Sequence, residues 1–297
     1  MRLPRIRALT SDWICVALFA FVAGIILFGA RVSLSFGYAG RYLAIVPVLA
    51  LATMVYRYWR PAPRLADLTS ITLKIFLILI LGILISFGAA TLGGEFPYRD
   101  LWLSSADAAL GFDWNAYVAF VARHPTVAAA LALAYGSMRI QFFVVGVILA
   151  LSGQRERMQR YALAVGLTLA VTLLIFVFMP ARAHGGGTWV EALDYMRANG
   201  GHAISFDNLN GIVTFPSYHT QSACLFVWAC WRTAYLRWPV LGLNLALVGA
   251  TPVNGVHYAV DVLAGVVIAA AVVILLSRQS SLRAFLSTTP LGQKSSA

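Results

Sequence analysis

Long apolar runs alternate along this chain with short polar connections. Eight runs of roughly 17–25 residues have the length a bilayer demands of a spanning helix. They lie at about 13–30, 41–57, 70–92, 126–150, 161–179, 220–237, 239–255 and 257–277. The seventh is the least regular, carrying Asn244, Pro252 and Asn254. The first could instead be a secretory signal, since Arg2, Arg5 and Arg7 precede it, but no small-x-small cleavage site closes it.

Two long polar connections break the rhythm. Residues 93–125 include LWLSSADAALGFDWNAYVAFVARHP, where Gly111 can end one short helix, Asp113 can cap the next, and His124-Pro125 stops it. With Trp102, Trp114 and Tyr117, these helices are expected to lie in the membrane interface as a lid or collar. The second connection, 181–216, runs from ARAHGGGTW to FDNLNGIVTF. The pattern predicts an all-α, polytopic membrane helix bundle of about eight spans. We divide it into an N-terminal segment, 1–125, a segment carrying the chemistry, 126–279, and a cytoplasmic tail, 280–297.

Composition agrees: 60% of the 297 residues are hydrophobic and 11% charged, where soluble domains average about 25% charged. The net charge of +11 would suit a nucleic-acid binder, but its distribution argues for topology instead. With the N-terminus in the cytoplasm, cytoplasmic segments hold Arg2, Arg5, Arg7, Arg57, Arg60, Arg64, Arg155, Arg157, Arg160, Arg232, Arg237, Arg278, Arg283 and Lys294. The outer segments hold only Arg31, Arg41, Arg99, Arg123, Arg182 and Arg197. This positive-inside bias puts both termini on the cytoplasmic side of the membrane as the expected topology, and no nucleic-acid partner is expected. Cys15, Cys224 and Cys230 sit in apolar runs and read as core residues rather than a disulfide framework or metal site.

The same topology places all five histidines at the outer side, and two of them sit in unusual contexts. FPSYHTQSA (215–223) puts Ser217, Tyr218 and His219 at the mouth of the sixth span, and VHYAVDVLAG (256–265) puts His257 and Asp261 in the eighth. Asp261 follows His257 at i+4, so both share one helix face, where a carboxylate can hold one imidazole nitrogen and leave the other free as nucleophile or base. Ionisable groups in a bilayer are costly, and their default reading is functional. Plainer roles exist: Ser217 as a helix N-cap, His219 as an interfacial histidine bound to water, and His257–Asp261 as a structural pair between helices. Arg139 stands inside the fourth run, in YGSMRIQFF. His124, His184 and His202 have no motif around them, and Gly185-Gly186-Gly187 reads as loop flexibility.

PSYHT followed by HYAVDVLAG resembles the type 2 phosphatidic acid phosphatase superfamily, whose motifs are typically PSGH and SRxxxxxHxxxD. The resemblance covers at least 160–277. The glycine of PSGH is Tyr218 here, the Ser-Arg pair falls on Ala250 and Thr251, and the outer side has no KxxxxxxRP motif. In these departures, and in RANGGHAISFDNLNGIVTFPSYHT and LSSADAALGFDWNAY, the chain is similar to the inositol phosphorylceramide synthase branch. The resemblance implies a two-step phosphoryl transfer without a cofactor or metal. His257, oriented by Asp261, would be the nucleophile, and His219 the general acid and then base. Ser217, Tyr218, Arg197, Arg182 and Arg139 are the expected substrate contacts, and the partners are a phospholipid donor and a lipid alcohol acceptor. A lipid phosphate phosphatase would use the same residues with water as acceptor. A proton-coupled carrier, with His257, Asp261 and Arg139 as relay, is the remaining alternative.

Overall fold

In the computed structural model the described residues are 11–29, 33–35, 40, 43–185, 188–198, 203–205 and 211–288. Helix α1 (Ser11–Gly29) is followed by α2 (Ile45–Met54), which continues as one π-turn through Val55–Trp59. The long α3 (Pro63–Leu92) starts with proline in its first turn, where the missing N–H is no loss. Next come α4 (Asp100–Ala109), α5 (Trp114–Arg123), α6 (Pro125–Gly136) and α7 (Met138–Leu151). The chain then forms α8 (Arg155–Phe178), α9 (Thr188–Ala198), α10 (Tyr218–Cys230), α11 (Arg237–Asn254) and α12 (Ala259–Thr288). One scrap of sheet joins two loops, β1 (Ser33–Ser35) lying parallel to β2 (Ala203–Ser205).

Among the described residues, α1, α3, α8 and Ala259–Arg278 of α12 are long and apolar enough to cross a membrane. The pair α5 and α6, bent by 110° at His124, adds a fifth if it is taken as one span. The other expected runs differ in form. The run at 41–57 yields only a short α-helix and its π-turn, and α10 is only 13 residues long. α11 carries Asn244, Thr251, Pro252 and Asn254. The run at 126–150 divides at Ser137, whose hydroxyl donates to the Ala134 carbonyl at 2.6 Å and competes with the backbone ladder. Arg139 therefore sits in the first turn of α7 rather than deep within one helix.

The two collar helices are present as the turn residues require. Gly111 takes φ +73°, where a side chain would strain the backbone, and the Asp113 carboxylate accepts from Ala116 N at 3.0 Å. One apolar core runs through the N-terminal and later helices alike, with Cys15, Val16, Phe19, Ile75 and Ile78 packed with Val165, Leu169, Leu225 and Phe226. A buried ion pair fastens α1 to α3: Lys74 Nζ lies 2.5 Å from Asp12 Oδ2 and 4.9 Å from the centre of the Trp13 ring. Outward-facing Phe28, Leu133 and Leu174 are largely exposed, as side chains turned toward lipid would be.

Candidate active site

The site begins with how two helix starts are brought together. Ser217 caps α10, its hydroxyl accepting from Thr220 N at 3.3 Å and Thr220 Oγ1 at 3.2 Å. Its own backbone N–H donates to the Asp261 carbonyl at 3.2 Å, so the FPSYHT and HYAVD stretches are joined main chain to main chain. Gly265, one turn beyond Asp261, permits that approach: a Cβ there would lie 2.7 Å from the Ser217 carbonyl oxygen.

His257 Nδ1 is 3.1 Å from Asp261 Oδ2, which also accepts from Tyr258 N at 3.0 Å. The carboxylate therefore favours the Nδ1–H tautomer, with Nε2 as the ring nitrogen it leaves to other partners. Both residues are buried, and Asp261 Oδ1 has no protein donor among the described residues. His219 stacks on Tyr135, ring centres 4.4 Å apart, and its ring centre lies 5.9 Å from that of His257. Gly255 leaves room where these groups converge, since a Cβ there would meet His257 Cδ2 at 2.6 Å and the Tyr135 hydroxyl at 2.8 Å. Val256, just before His257, is held at φ +50°, an unusual conformation for a β-branched residue. Its carbonyl accepts from His184 N at 3.0 Å.

Both histidines line a cavity of about 520 Å³. Arg139, Tyr135, Tyr218 and Asn254 share its lining with a mostly apolar set from α3 and α8, Phe76, Leu79, Ile80, Ile83, Leu169 and Leu173, to which Ser86 and Thr172 add hydroxyls. The structure thus brings together His219, His257, Asp261, Tyr218 and Arg139. Tyr218, standing where the resembled motif has glycine, sends its hydroxyl to the Val165 carbonyl at 3.1 Å.

The other two expected arginines are engaged elsewhere. Arg197 Nη1 donates to the Gly93 carbonyl at 2.8 Å, and its Nη2 reaches the carbonyls of Gly94 and Phe96. Arg182 binds Asp194 through Nε and Nη2 at 3.0 and 2.9 Å, and that carboxylate holds its guanidinium above its usual range. Both guanidinia lie 4.2 Å from the Tyr98 ring centre, and neither lines the cavity. His124 packs at a tilt against Phe120 and bonds its carbonyl at 2.7 Å. His202, Gly186 and Gly187 lie outside the described residues.

Asp107 is the residue the sequence did not single out. From α4 in the collar, its buried carboxylate accepts from Ala259 N at 2.8 Å and Val260 N at 2.9 Å, capping α12 from another helix. Beside it, Asp100 accepts from the Tyr258 hydroxyl at 3.1 Å. The signal available in LSSADAALG was an acid in the second half of a short helix with no basic residue one turn away. Collar aromatics add further ties: Trp114 Nε1 donates to the Pro252 carbonyl at 2.7 Å and the Tyr117 hydroxyl to Gly249 O at 2.8 Å. Among the described residues, no group of three or more His, Cys, Asp or Glu could hold a metal.

No curated protein and no solved structure matches the chain. The family profile of the PAP2 superfamily matches residues 101–275, a segment that takes in the collar, His219, His257 and Asp261. That segment is more than half of the chain, and the chain belongs to the PAP2 superfamily.

Proposed function

We propose that this protein is a membrane phosphotransferase acting on phospholipid headgroups through a phosphohistidine, in the manner of the inositolphosphotransferase-like branch. Membership of the superfamily suggests phosphatase or phosphotransferase chemistry in general. The observation that supports the finer reading is the Asp261–His257 pair with His219 beside it, in a cavity lined mostly by aliphatic and aromatic side chains.

In the first step His257 Nε2 attacks phosphorus, the bond from phosphorus to the leaving alcohol oxygen breaks, and His219 gives that oxygen a proton. Asp261 stabilises the cationic phosphoimidazole through Nδ1–H. In the second step the acceptor hydroxyl loses its proton to His219 as its oxygen attacks phosphorus, and the P–N bond breaks. Arg139 is the cation at hand for the phosphoryl oxygens, whose charge needs aimed donors. The apolar wall suits the lipid's chains and leaves little for water, which favours an alcohol acceptor.

The reading keeps eight crossings, with α2, the α6–α7 pair, α10 and α11 completing the four long helices. It keeps both termini in the cytoplasm and the histidines at the outer face of the cell membrane, as the arginine distribution suggests. The test uses purified protein in lipid-like detergent, offered labelled phosphatidic acid, phosphatidylinositol and other phospholipids with ceramide or diacylglycerol, beside His257→Asn. New phospholipid without free phosphate, lost in the variant, is expected. Free phosphate alone would make the protein a lipid phosphate phosphatase, and no turnover with an indistinguishable variant would sink both readings.

A further inference from the structure

A second cavity, of about 430 Å³, lies between the C-terminal half of α10 and the facing side of α11. It shares no residue with the histidine cavity. It stands toward the other end of α10, a 13-residue helix with His219 in its first turn, which at 1.5 Å per residue spans about 20 Å. Its walls are aliphatic, with Val227, Leu241, Leu245 and Val248, while its polar lining includes Arg157 and Arg232.

The two arginines have no carboxylate beside them in that lining. Arg157 is fixed in place: Nε donates to the Ala229 carbonyl at 2.8 Å, Nη2 donates to the Trp228 carbonyl, and the guanidinium lies 5.5 Å from the Trp228 ring centre. No ion pair or hydrogen bond is formed by the Arg232 side chain among the described residues. In the same wall, Asn244 is buried and its Oδ1 has no donor. Trp231 and Trp238 pack edge to face at 5.8 Å and stay substantially exposed, the placement of aromatic side chains at a membrane–water boundary. Leu245 is 63% exposed, so the groove opens toward lipid rather than into the protein.

We propose that this groove binds an anionic phospholipid from the leaflet opposite the histidines, its phosphodiester on Arg232 and Arg157 and one acyl chain along Val227, Leu241, Leu245 and Val248. The chemistry selects the ligand. Two unopposed guanidinia favour a net negative headgroup over a zwitterion, and an aliphatic groove open to lipid favours a chain over a soluble anion. The site is independent of the transfer reaction and stands or falls apart from it.

The test is native mass spectrometry of the delipidated full-length protein with equal amounts of phosphatidylglycerol and phosphatidylcholine of matched chains. Preferential retention of phosphatidylglycerol is expected, on the order of tenfold, the scale of one charge-assisted contact. Arg232→Gln should remove the preference, and Leu245→Trp, which fills the groove, should remove the groove-bound share of both lipids and leave any lipid held in the histidine cavity. His257→Asn should leave the preference intact; if the preference vanishes there instead, the lipid sat in the histidine cavity and the proposal fails. Equal retention of both lipids, or a preference that survives Arg232→Gln, also overturns it. Release of the lipid by millimolar inorganic phosphate would mark a soluble-anion site and overturn the lipid assignment.

Discussion

The backbone N–H of Ser217 donates to the carbonyl of Asp261 at 3.2 Å. Forty-four positions separate the two residues in sequence, yet this bond sets the distance between the stretch carrying His219 and the one carrying His257. Gly265 is what lets the strands of main chain come so close. Gly265→Ala should therefore push α10 and α12 apart at their starts, cutting turnover at least tenfold while the protein still inserts and folds. Side-by-side assays of turnover and thermal unfolding would check this; unchanged turnover would mean that the spacing of the histidines is not set here.

The two histidines should separate by leaving group. His257→Asn removes the proposed nucleophile and should abolish both turnover and acid-labile phosphoprotein for every substrate. His219→Gln removes the proposed proton donor, an expected loss of about 10²- to 10⁴-fold on alkyl leaving groups. An aryl phosphate ester needs no such proton, so with it His219→Gln should still form phosphoprotein, measurable by rapid quench and intact mass. Equal loss on alkyl and aryl substrates would argue against the acid role.

Asp107 should matter without touching substrate. Asp107→Ala strips the cap from α12, a loss of about 1 kcal/mol by the usual cost of an N-cap, and loosens the turn that carries His257 and Asp261. Turnover should fall with KM little changed, while Asp107→Asn, which keeps one accepting oxygen and so serves only one of the two amides, should recover part of it. No recovery at all in the asparagine variant would place the importance of Asp107 in its charge or in its paired oxygens rather than in a single cap bond.

Lys74 and Asp12 form a buried pair that ties α1 to α3. Removing one partner leaves an unpaired buried charge, a loss of about 3–5 kcal/mol, whereas replacing both can be neutral. Asp12→Asn is expected to lower the unfolding midpoint in detergent sharply, and Asp12→Leu combined with Lys74→Met to restore much of it. Additive effects in that double-mutant cycle would show that the pair is not coupled.

His184 gives a pH dependence of known sign. Burial holds its imidazole below the ordinary histidine value, against the opposing pull of Asp107, 3.9 Å from its Nε2. The unfolded chain therefore binds this proton more readily, so stability is unaffected above about pH 6.5 and falls as pH drops below it. His184→Gln should flatten that acid limb in thermal unfolding measured between pH 7 and pH 5, and an unchanged limb would assign it to other groups.

How much of this was legible beforehand depends on the range of the contact. The i,i+4 relation of His257 and Asp261 is written in the spacing, and the return of the chain between His219 and His257 follows from two helices of similar length. The long apolar runs likewise gave α1, α3, α8 and α12. Contacts that close over a hundred or more residues left no local mark, as with Asp107 on the amides of Ala259 and Val260. Nor does a sequence say whether a guanidinium finds a phosphate or a carbonyl: Arg197 looked available, and Gly93, Gly94 and Phe96 use it. Hydropathy also reads runs and not lengths, so it made 126–150 one rod where a serine hydroxyl interrupts it.

Much of the apolar lining of the histidine cavity comes from α3, through Phe76, Leu79, Ile80 and Ile83, and α3 lies wholly before the segment that the superfamily profile matches, 101–275. His219, His257 and Asp261 all lie within that segment. On the proposed function, the reacting groups and much of the surface that would hold the lipid chains come from separate stretches of the chain, Leu169 and Leu173 excepted. Exchange of residues 63–92 would then shift the chain length accepted and leave the proposed phosphoryl-transfer residues as they are.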